Sequence, residues 1–128
     1  MEMASHYENV TDTELAMLDV LWKEGPSTIR QITDRLYPDG KFSEYATVQS
    51  LLQRLESKGY VARDRSAFVH VFRAKVHRSA VIGHRLQDVA DKLCEGSLTP
   101  LLLQLAEGTR LTEEQRAILR KLLDEPRA

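Results

Sequence analysis

Residues 45–73 decide the fold of this chain, and they read YATVQSLLQRLESKGYVARDRSAFVHVFR. Four apolar side chains in the first half recur with a period of 3.6 residues: Val48, Leu51, Leu52 and Leu55. This stripe predicts an amphipathic helix from about Glu44 to Lys58, with Ser43 as its N-cap. Gly59 then stands where a helix commonly ends in left-handed backbone.

The second half of this stretch predicts a β-hairpin. Tyr60–Arg63 and Phe68–Arg73 are rich in β-branched and aromatic residues, which favour strands. Residues 64–67 lie between them, and their Ser-Ala tip is not a strong two-residue turn signal. We therefore expect two paired strands directly after the amphipathic helix, joined by a turn whose type the sequence does not define.

Helices are predicted on both sides of this segment. Upstream, Thr11 and Glu14 have the spacing of a capping box that begins a first helix, which ends at Gly25-Pro26. A second helix, with Ser27 as its N-cap, precedes the loop signal at residues 38–40. Downstream, the helical period returns three times, and the last helix begins at a second capping box, residues 112–115.

The predicted fold class is therefore α+β and mainly helical. Three helices followed by a hairpin have the layout of a winged helix-turn-helix, in which the third helix enters the DNA major groove and the hairpin is the wing. We expect an N-terminal tail at 1–10, a winged-helix DNA-binding domain at 11–75 and a helical dimerisation region at 76–128. The reason for expecting a dimer is the helix at 97–106, which is apolar on nearly all sides and needs to be buried. A second copy of the chain would bury it, and the alternative is packing against its own winged helix. The predicted dimerisation residues are Ile82, Leu86, Val89, Leu93, Leu98, Leu101, Leu102, Leu105, Ile118, Leu119 and Leu122.

Charge is distributed unevenly along a chain whose net charge is −1. Residues 41–78 hold eight Lys/Arg against three Asp/Glu, whereas residues 1–40 hold three against eight. A basic middle segment in a near-neutral protein is typical of a nucleic-acid-binding surface. With the apolar stripe buried, the third helix presents Thr47, Ser50 and Arg54, flanked by Gln49 and Gln53, to a major groove. Of the remaining cations, Lys58 is expected at a phosphate. The wing cations are expected at the DNA backbone or in the minor groove: Arg63, Arg65 and Arg73.

Residues 45–65 and 68–73, together with the first helix at 13–22, resemble the penicillinase-repressor family (BlaI/MecI/CopY type). The likeness spans roughly residues 10–123. It implies a dimeric repressor of palindromic operators, with a winged helix followed by a three-helix dimerisation region. It also implies that Ala46, Thr47, Gln49 and Arg54 occupy recognition-helix contact positions, although some relatives are basic where Ala46 and Gln49 stand here.

The resemblance further implies a mode of release. In the antibiotic-responsive branch, a sensor protease inactivates the repressor by cutting an Asn-Phe pair in the fifth helix. The matching residues here are Gln104 and Leu105, and both differ from that pair. The copper-responsive branch carries clustered C-terminal cysteines, whereas this chain has one cysteine, Cys94.

Other function classes are disfavoured by the sequence. No nucleophile–base pair, paired carboxylates or Gly-rich phosphate loop stands out, so we expect no enzyme and no cofactor. His77 and His84 are two helical turns apart, too far for one metal ion without a third element, so no metal site is expected. A secretory signal and a membrane span are also absent from the sequence pattern, which favours a cytoplasmic protein. Two alternatives stay open: a ligand-gated regulator, and a winged helix used only for contacts between proteins.

Overall fold

The computed structural model describes residues 10–39, 42–108 and 110–124, with only the backbone of Phe42. The predicted tail, apart from Val10, and Gly40 of the predicted loop lie outside the described residues. The chain divides into two compact units, Met1–His84 and Arg85–Ala128. The described elements are α1 (Asp12–Glu24), β1 (Ser27–Thr28), α2 (Ile29–Leu36), α3 (Phe42–Lys58), β2 (Val61–Asp64), β3 (Val71–Ala74), α4 (Arg78–Leu93), α5 (Thr99–Gly108) and α6 (Glu113–Asp124). Six helices and a small antiparallel sheet confirm the mainly helical α+β class.

Capping boxes begin the first two helices, α1 and α2. At α1, the Glu14 amide donates to Thr11 Oγ1 at 3.2 Å and the Thr11 amide donates to Glu14 Oε1 at 3.0 Å, as the sequence predicted. At α2, the N-cap is Thr28, which exchanges the same pair of hydrogen bonds with Gln31. The prediction of Ser27 as this N-cap was wrong, because Ser27 lies in β1 and its hydroxyl donates to the Gly25 carbonyl at 2.8 Å.

Helix α3 begins earlier than predicted and ends as predicted. It starts at Phe42, so Ser43 lies inside the first turn rather than at the N-cap. At the other end Gly59 has φ +86°, and the Tyr60 amide donates to the Leu55 carbonyl at 3.0 Å. This left-handed residue closes the helix and turns the chain directly into β2.

The sheet has three strands in the order β1-β3-β2, all antiparallel. The hairpin pairs Asp64 with Val71, so six residues, 65–70, connect its strands. The predicted second strand was therefore too long at its start, since residues 68–70 belong to the connection. The two-residue strand β1, which pairs with the other edge of β3, was not predicted at all.

One hydrophobic core joins the helices and the sheet of the first unit. Leu18 of α1, Ile32 of α2, Leu52 of α3 and Phe72 of β3 are all fully buried within it. The core fixes α3 by its apolar stripe, so the opposite face of that helix is left for solvent or a ligand.

The first unit extends past the hairpin into α4, beyond the boundary expected after residue 75. Trp22 Nε1 donates to the Val76 carbonyl at 2.9 Å, and Val81 is buried in the core. The Arg78 guanidinium lies over the Trp22 ring at 5.1 Å and pairs with Asp19 at 2.8 Å. These contacts attach the first turns of α4 to the winged helix.

The second unit contains the rest of α4 with α5 and α6. At the start of α6, the Thr112 and Gln115 side chains and amides form the predicted capping box, at 2.9 and 3.1 Å. None of the described side chains of α5 or α6 is buried. Across the part of the chain that the structure describes, no helix is both long and apolar enough to span a lipid bilayer.

Candidate nucleic-acid interface

Helix α3 has one apolar and one polar face. Val48, Leu52 and Leu55 are fully buried in the core. The predicted groove-reading side chains all lie on exposed positions of the same helix: Ala46, Thr47, Gln49, Ser50, Gln53 and Arg54. A helix held by one side with short polar groups and an arginine on the other has the form of a major-groove recognition helix.

A buried carboxylate lies behind the last turns of this helix. Glu14 of α1 is completely buried, and its Oε1 lies 3.1 Å from the Lys58 ammonium. The Arg54 guanidinium approaches Glu14 Oε2 at 3.9 Å, and that oxygen has no hydrogen-bond partner among the described residues. Arg54 itself remains 55% exposed, whereas the Lys58 side chain is only 15% exposed. Arg54 therefore projects into solvent from beside the Glu14 carboxylate, and the Lys58 ammonium is held largely inside the protein.

A different carboxylate, Glu56 on α3, binds the wing. Glu56 accepts from Arg63 at 2.9 Å and lies 3.8 Å from the Arg65 guanidinium. Arg63 also packs over the buried Phe72 ring at 4.8 Å, so its side chain is 14% exposed. Arg65 is 60% exposed. Of this pair, Arg65 is thus the cation that faces solvent, and Arg63 joins the wing to α3.

The wing carries two further exposed features. Arg73 lies in β3 on an exposed position, while its neighbour Phe72 is buried. At the far end of the hairpin, Asp64 Oδ1 accepts from the Ser66 amide at 2.8 Å. Hydrogen bonds from the Ser66 hydroxyl and amide lower the pKa of the Asp64 carboxyl below its ordinary value. The carboxylate thus remains charged and holds the first residues of the connection.

Sequence reasoning missed two residues at this surface. Arg30 of α2 stacks on the Tyr45 ring of α3 at 4.9 Å and is 66% exposed, so an additional cation lies beside the start of α3. Glu14 was assigned only a capping role, although it also pairs with two cations of α3. No spacing rule connects residues 14 and 58, which are distant in the chain, so only the fold reveals this pairing.

The predicted dimerisation residues expose apolar surface in the single chain. On α4, Leu93 is 79% exposed and Ile82 is 51% exposed. Leu102 of α5 and Leu122 of α6 are about equally accessible, at 61% and 60%. The other residues of the set are half-buried or exposed: Leu86, Val89, Leu98, Leu101, Leu105, Ile118 and Leu119.

The histidines and the cysteine are not assembled into a metal site in the described part of the chain. No group of three His, Cys, Asp or Glu side chains there has the arrangement to hold an ion. Cys94 is half-buried near the end of α4.

The first unit has three helices followed by a basic hairpin, and the third helix is held by the core on one side and polar on the other. This arrangement defines a winged-helix protein. Comparison with known proteins gives the same class. Residues 10–125 match the family described as penicillinase repressor, so the chain belongs to that family. The penicillinase repressor of Bacillus licheniformis is 24% identical over 116 residues, which cover 91% of this chain and 90% of that protein. An uncharacterised 16.5 kDa protein of the ptsI 3′ region in Latilactobacillus sakei is 23% identical over 121 residues, 94% of this chain and 82% of the relative.

Membership of this family makes the chain a DNA-binding transcriptional repressor and not an enzyme. The fold has the parts that such a protein needs, namely an exposed helix with hydrogen-bonding side chains and nearby cations.

Proposed function

We propose that this protein is a homodimeric repressor that binds a palindromic operator through α3 and the wing. The observation that carries the proposal is the division of α3 into a buried apolar face and an exposed polar face. Since the core holds the helix along one side, the polar side is free to enter a major groove without any rearrangement of the domain.

In this proposal the exposed side chains of α3 read bases. Arg54 donates to a guanine edge, and Gln49 or Gln53 pairs with adenine. Ala46, Thr47 and Ser50 allow close approach and contact thymine methyl groups or phosphates. Glu14 supports this readout from inside, because its carboxylate restricts the directions in which the Arg54 guanidinium points.

The cations of the wing contribute mainly to the contact with the DNA backbone. Arg65 and Arg73 are exposed and suit phosphate contacts that are independent of sequence. Lys58 and Arg63 were expected to do the same, but their side chains are largely covered and paired with Glu14 and Glu56. We propose that these two act on DNA indirectly, by holding α3 and the wing in place.

The apolar side chains of α4, α5 and α6 support a dimer of this chain. Leucines that are half or more exposed on three successive helices, such as Leu93, Leu102 and Leu122, form more apolar surface than an isolated chain normally leaves in water. A twofold dimer would bury them and place two winged helices on two half-sites, which matches the symmetry of a palindrome.

We propose that the operator is released when this dimer is disrupted. The Gln104–Leu105 bond lies in the middle of α5, and both residues are exposed. A sensor protease that cuts there would divide α5 and detach α6. Each winged helix would then bind DNA alone, without the gain that comes from linking two half-sites. A ligand that opens the apolar dimer region would have the same effect and is the alternative route.

The test of the proposed function is selection of bound fragments from random duplex DNA by the purified full-length chain. We expect a palindrome whose half-site centres are about 10 base pairs, or a multiple of that, apart. Sedimentation of the complex should give two chains per duplex. Enrichment of a single, non-symmetric half-site would contradict the dimeric reading, and no enrichment would favour a winged helix that contacts only proteins.

A further inference from the structure

The connection at the tip of the wing carries an apolar side chain that no part of the described protein covers. Phe68 has a relative exposure of 101%, the highest of the exposed large hydrophobic residues, and the adjoining Val69 is 55% exposed. Hairpin connections are usually built from Gly, Pro, Asn, Asp and Ser, so two consecutive apolar residues there are unusual. Neither side chain contributes to the core, so both are accessible to a contact outside the chain.

The tip is presented by an ordered base. Phe72, four residues further along, is fully buried, and Arg63 packs over its ring. On the other strand, Asp64 holds the Ser66 amide at 2.8 Å. Phe68 therefore projects from a hairpin whose base is fixed to the core and in which the Ser66 amide is hydrogen-bonded to Asp64. A contact at this position loses little conformational entropy in the hairpin itself.

The charge around the tip identifies the kind of partner. Residues 63–75 contain four Lys/Arg and one Asp, so Phe68 projects from a basic hairpin. A second copy of this chain would bring an equally basic wing to the same place, which like-charge repulsion opposes. DNA is a polyanion with apolar sugar edges in its minor groove, and it satisfies both the charge and the exposed ring.

We propose that Phe68 is an apolar wedge that enters the minor groove of DNA beside the α3 contact and packs against deoxyribose and base edges. The proposal rests on operator binding through α3 and the wing, as proposed above. Proteins that place apolar side chains in a minor groove open it and partly unstack a base step. Binding should therefore favour operators with a flexible pyrimidine–purine step under the wing, at a position that no polar side chain needs to read.

The experiment uses full-length protein and the duplex recovered by selection from random DNA. Phe68→Ala should weaken binding by about tenfold at fixed salt, since one buried aromatic contact is lost. Phe68→Leu, which keeps an apolar wedge, should retain most of the affinity. The dependence of affinity on salt should be the same for wild type and Phe68→Ala, because no charge changes, whereas the matched variant Arg65→Ala should show a shallower dependence. Hydroxyl radicals attack sugars from the minor groove, so Phe68→Ala should also lose protection at the wing positions.

The folding of these variants is controlled by far-UV circular dichroism and urea unfolding, which a fully exposed side chain should leave unchanged. Equal affinity and equal protection for wild type and Phe68→Ala would overturn the wedge while leaving operator binding intact. A variant that binds DNA normally but sediments differently would show that Phe68 contacts protein instead, which also overturns it. Failure of the wild type itself to select any duplex would reject operator binding, and the wedge with it.

Discussion

Replacing Lys58 with methionine is expected to lower the free energy of unfolding by about 3 kcal/mol. The Lys58 ammonium lies 3.1 Å from Glu14 Oε1, and Glu14 is fully buried. Methionine keeps most of the volume and apolar length of lysine, so the substitution removes the charge with little change in packing. What remains is a buried carboxylate that has lost the nearer of its two cations.

The magnitude follows from this geometry. At an effective dielectric constant of about 20, opposite charges 3.1 Å apart attract by about 5 kcal/mol. Part of that attraction is offset by the cost of removing the ammonium from water. Loss of one partner from a buried ion pair typically costs about 3–5 kcal/mol. We expect the lower end, because Arg54 stays 3.9 Å from the other oxygen of Glu14 and the Thr11 amide still donates to the carboxylate.

The assay is urea unfolding followed by far-UV circular dichroism, at one protein concentration for all variants because a dimer gains stability with concentration. The matched control is Lys23→Met, which breaks an exposed pair with Asp19 at 3.0 Å and should cost less than about 0.5 kcal/mol. The double variant Glu14→Gln with Lys58→Met should be more stable than Lys58→Met alone, since glutamine retains the hydrogen bond to Thr11 and leaves no buried charge.

Two results would refute this reasoning. If Lys58→Met and Lys23→Met lower the stability by the same small amount, the Lys58 pair is not a buried interaction. If the double variant is less stable than Lys58→Met alone, the uncompensated charge of Glu14 is not the source of the loss.

Three further outcomes are expected for DNA binding and assembly, and one for pH. Arg54→Ala should cost about 1–3 kcal/mol of binding free energy on the selected operator and relax the preference at one base position per half-site. Arg65→Ala should weaken binding to random and selected duplexes alike. If both variants lose equal affinity on both kinds of DNA, base readout by Arg54 is rejected. Truncation after His84 should leave a folded monomer by sedimentation, with operator affinity lower by orders of magnitude, and a full-length chain that is monomeric at micromolar concentration would reject the dimer. Exposure of cells to a cell-wall antibiotic should yield a fragment ending at Gln104 by mass spectrometry, and an intact chain with derepressed target genes would exclude cleavage there. NMR titration should place the pKa of Asp64 below its ordinary value, so that its contribution to stability is present above that ordinary pKa and is lost as the pH falls through the lower, folded-state value.

Local rules predicted the parts of this fold that depend on neighbouring residues. The capping box at Thr11, the left-handed Gly59 and the apolar stripe of α3 each follow from spacings of one to four residues, and each is confirmed. The same rules failed where tertiary contacts decide the outcome. Strand β1 has two residues and exists only because β3 offers a free edge, so no periodicity marks it. Its presence also moves the N-cap of α2 from Ser27 to Thr28.

The candidate interface shows the same division. The helical period predicts which side chains of α3 face outward, because the apolar stripe fixes the opposite face. Sequence did not distinguish exposed cations from covered ones. Arg65 and Arg63 are two residues apart and chemically identical, yet Arg63 packs over Phe72 and lies 2.9 Å from Glu56, whereas Arg65 lies 3.8 Å from Glu56 and stays exposed. The exposure of Phe68 was also missed, because an aromatic residue near a strand raises the expectation of a strand.

The central position of β3 in the sheet has a mechanical consequence for the wing. Thr28 pairs by its backbone with Val71 of β3, and its side chain caps α2. A hinge motion of the whole hairpin would therefore have to break strand pairing along β1 and disturb the first turn of α2 at the same time. We therefore expect the base of the wing to move together with the first turn of α2 and not independently of it. Hydrogen exchange at the Gln31 amide, which donates to the Thr28 hydroxyl at 3.1 Å, would report this coupled motion when DNA is bound.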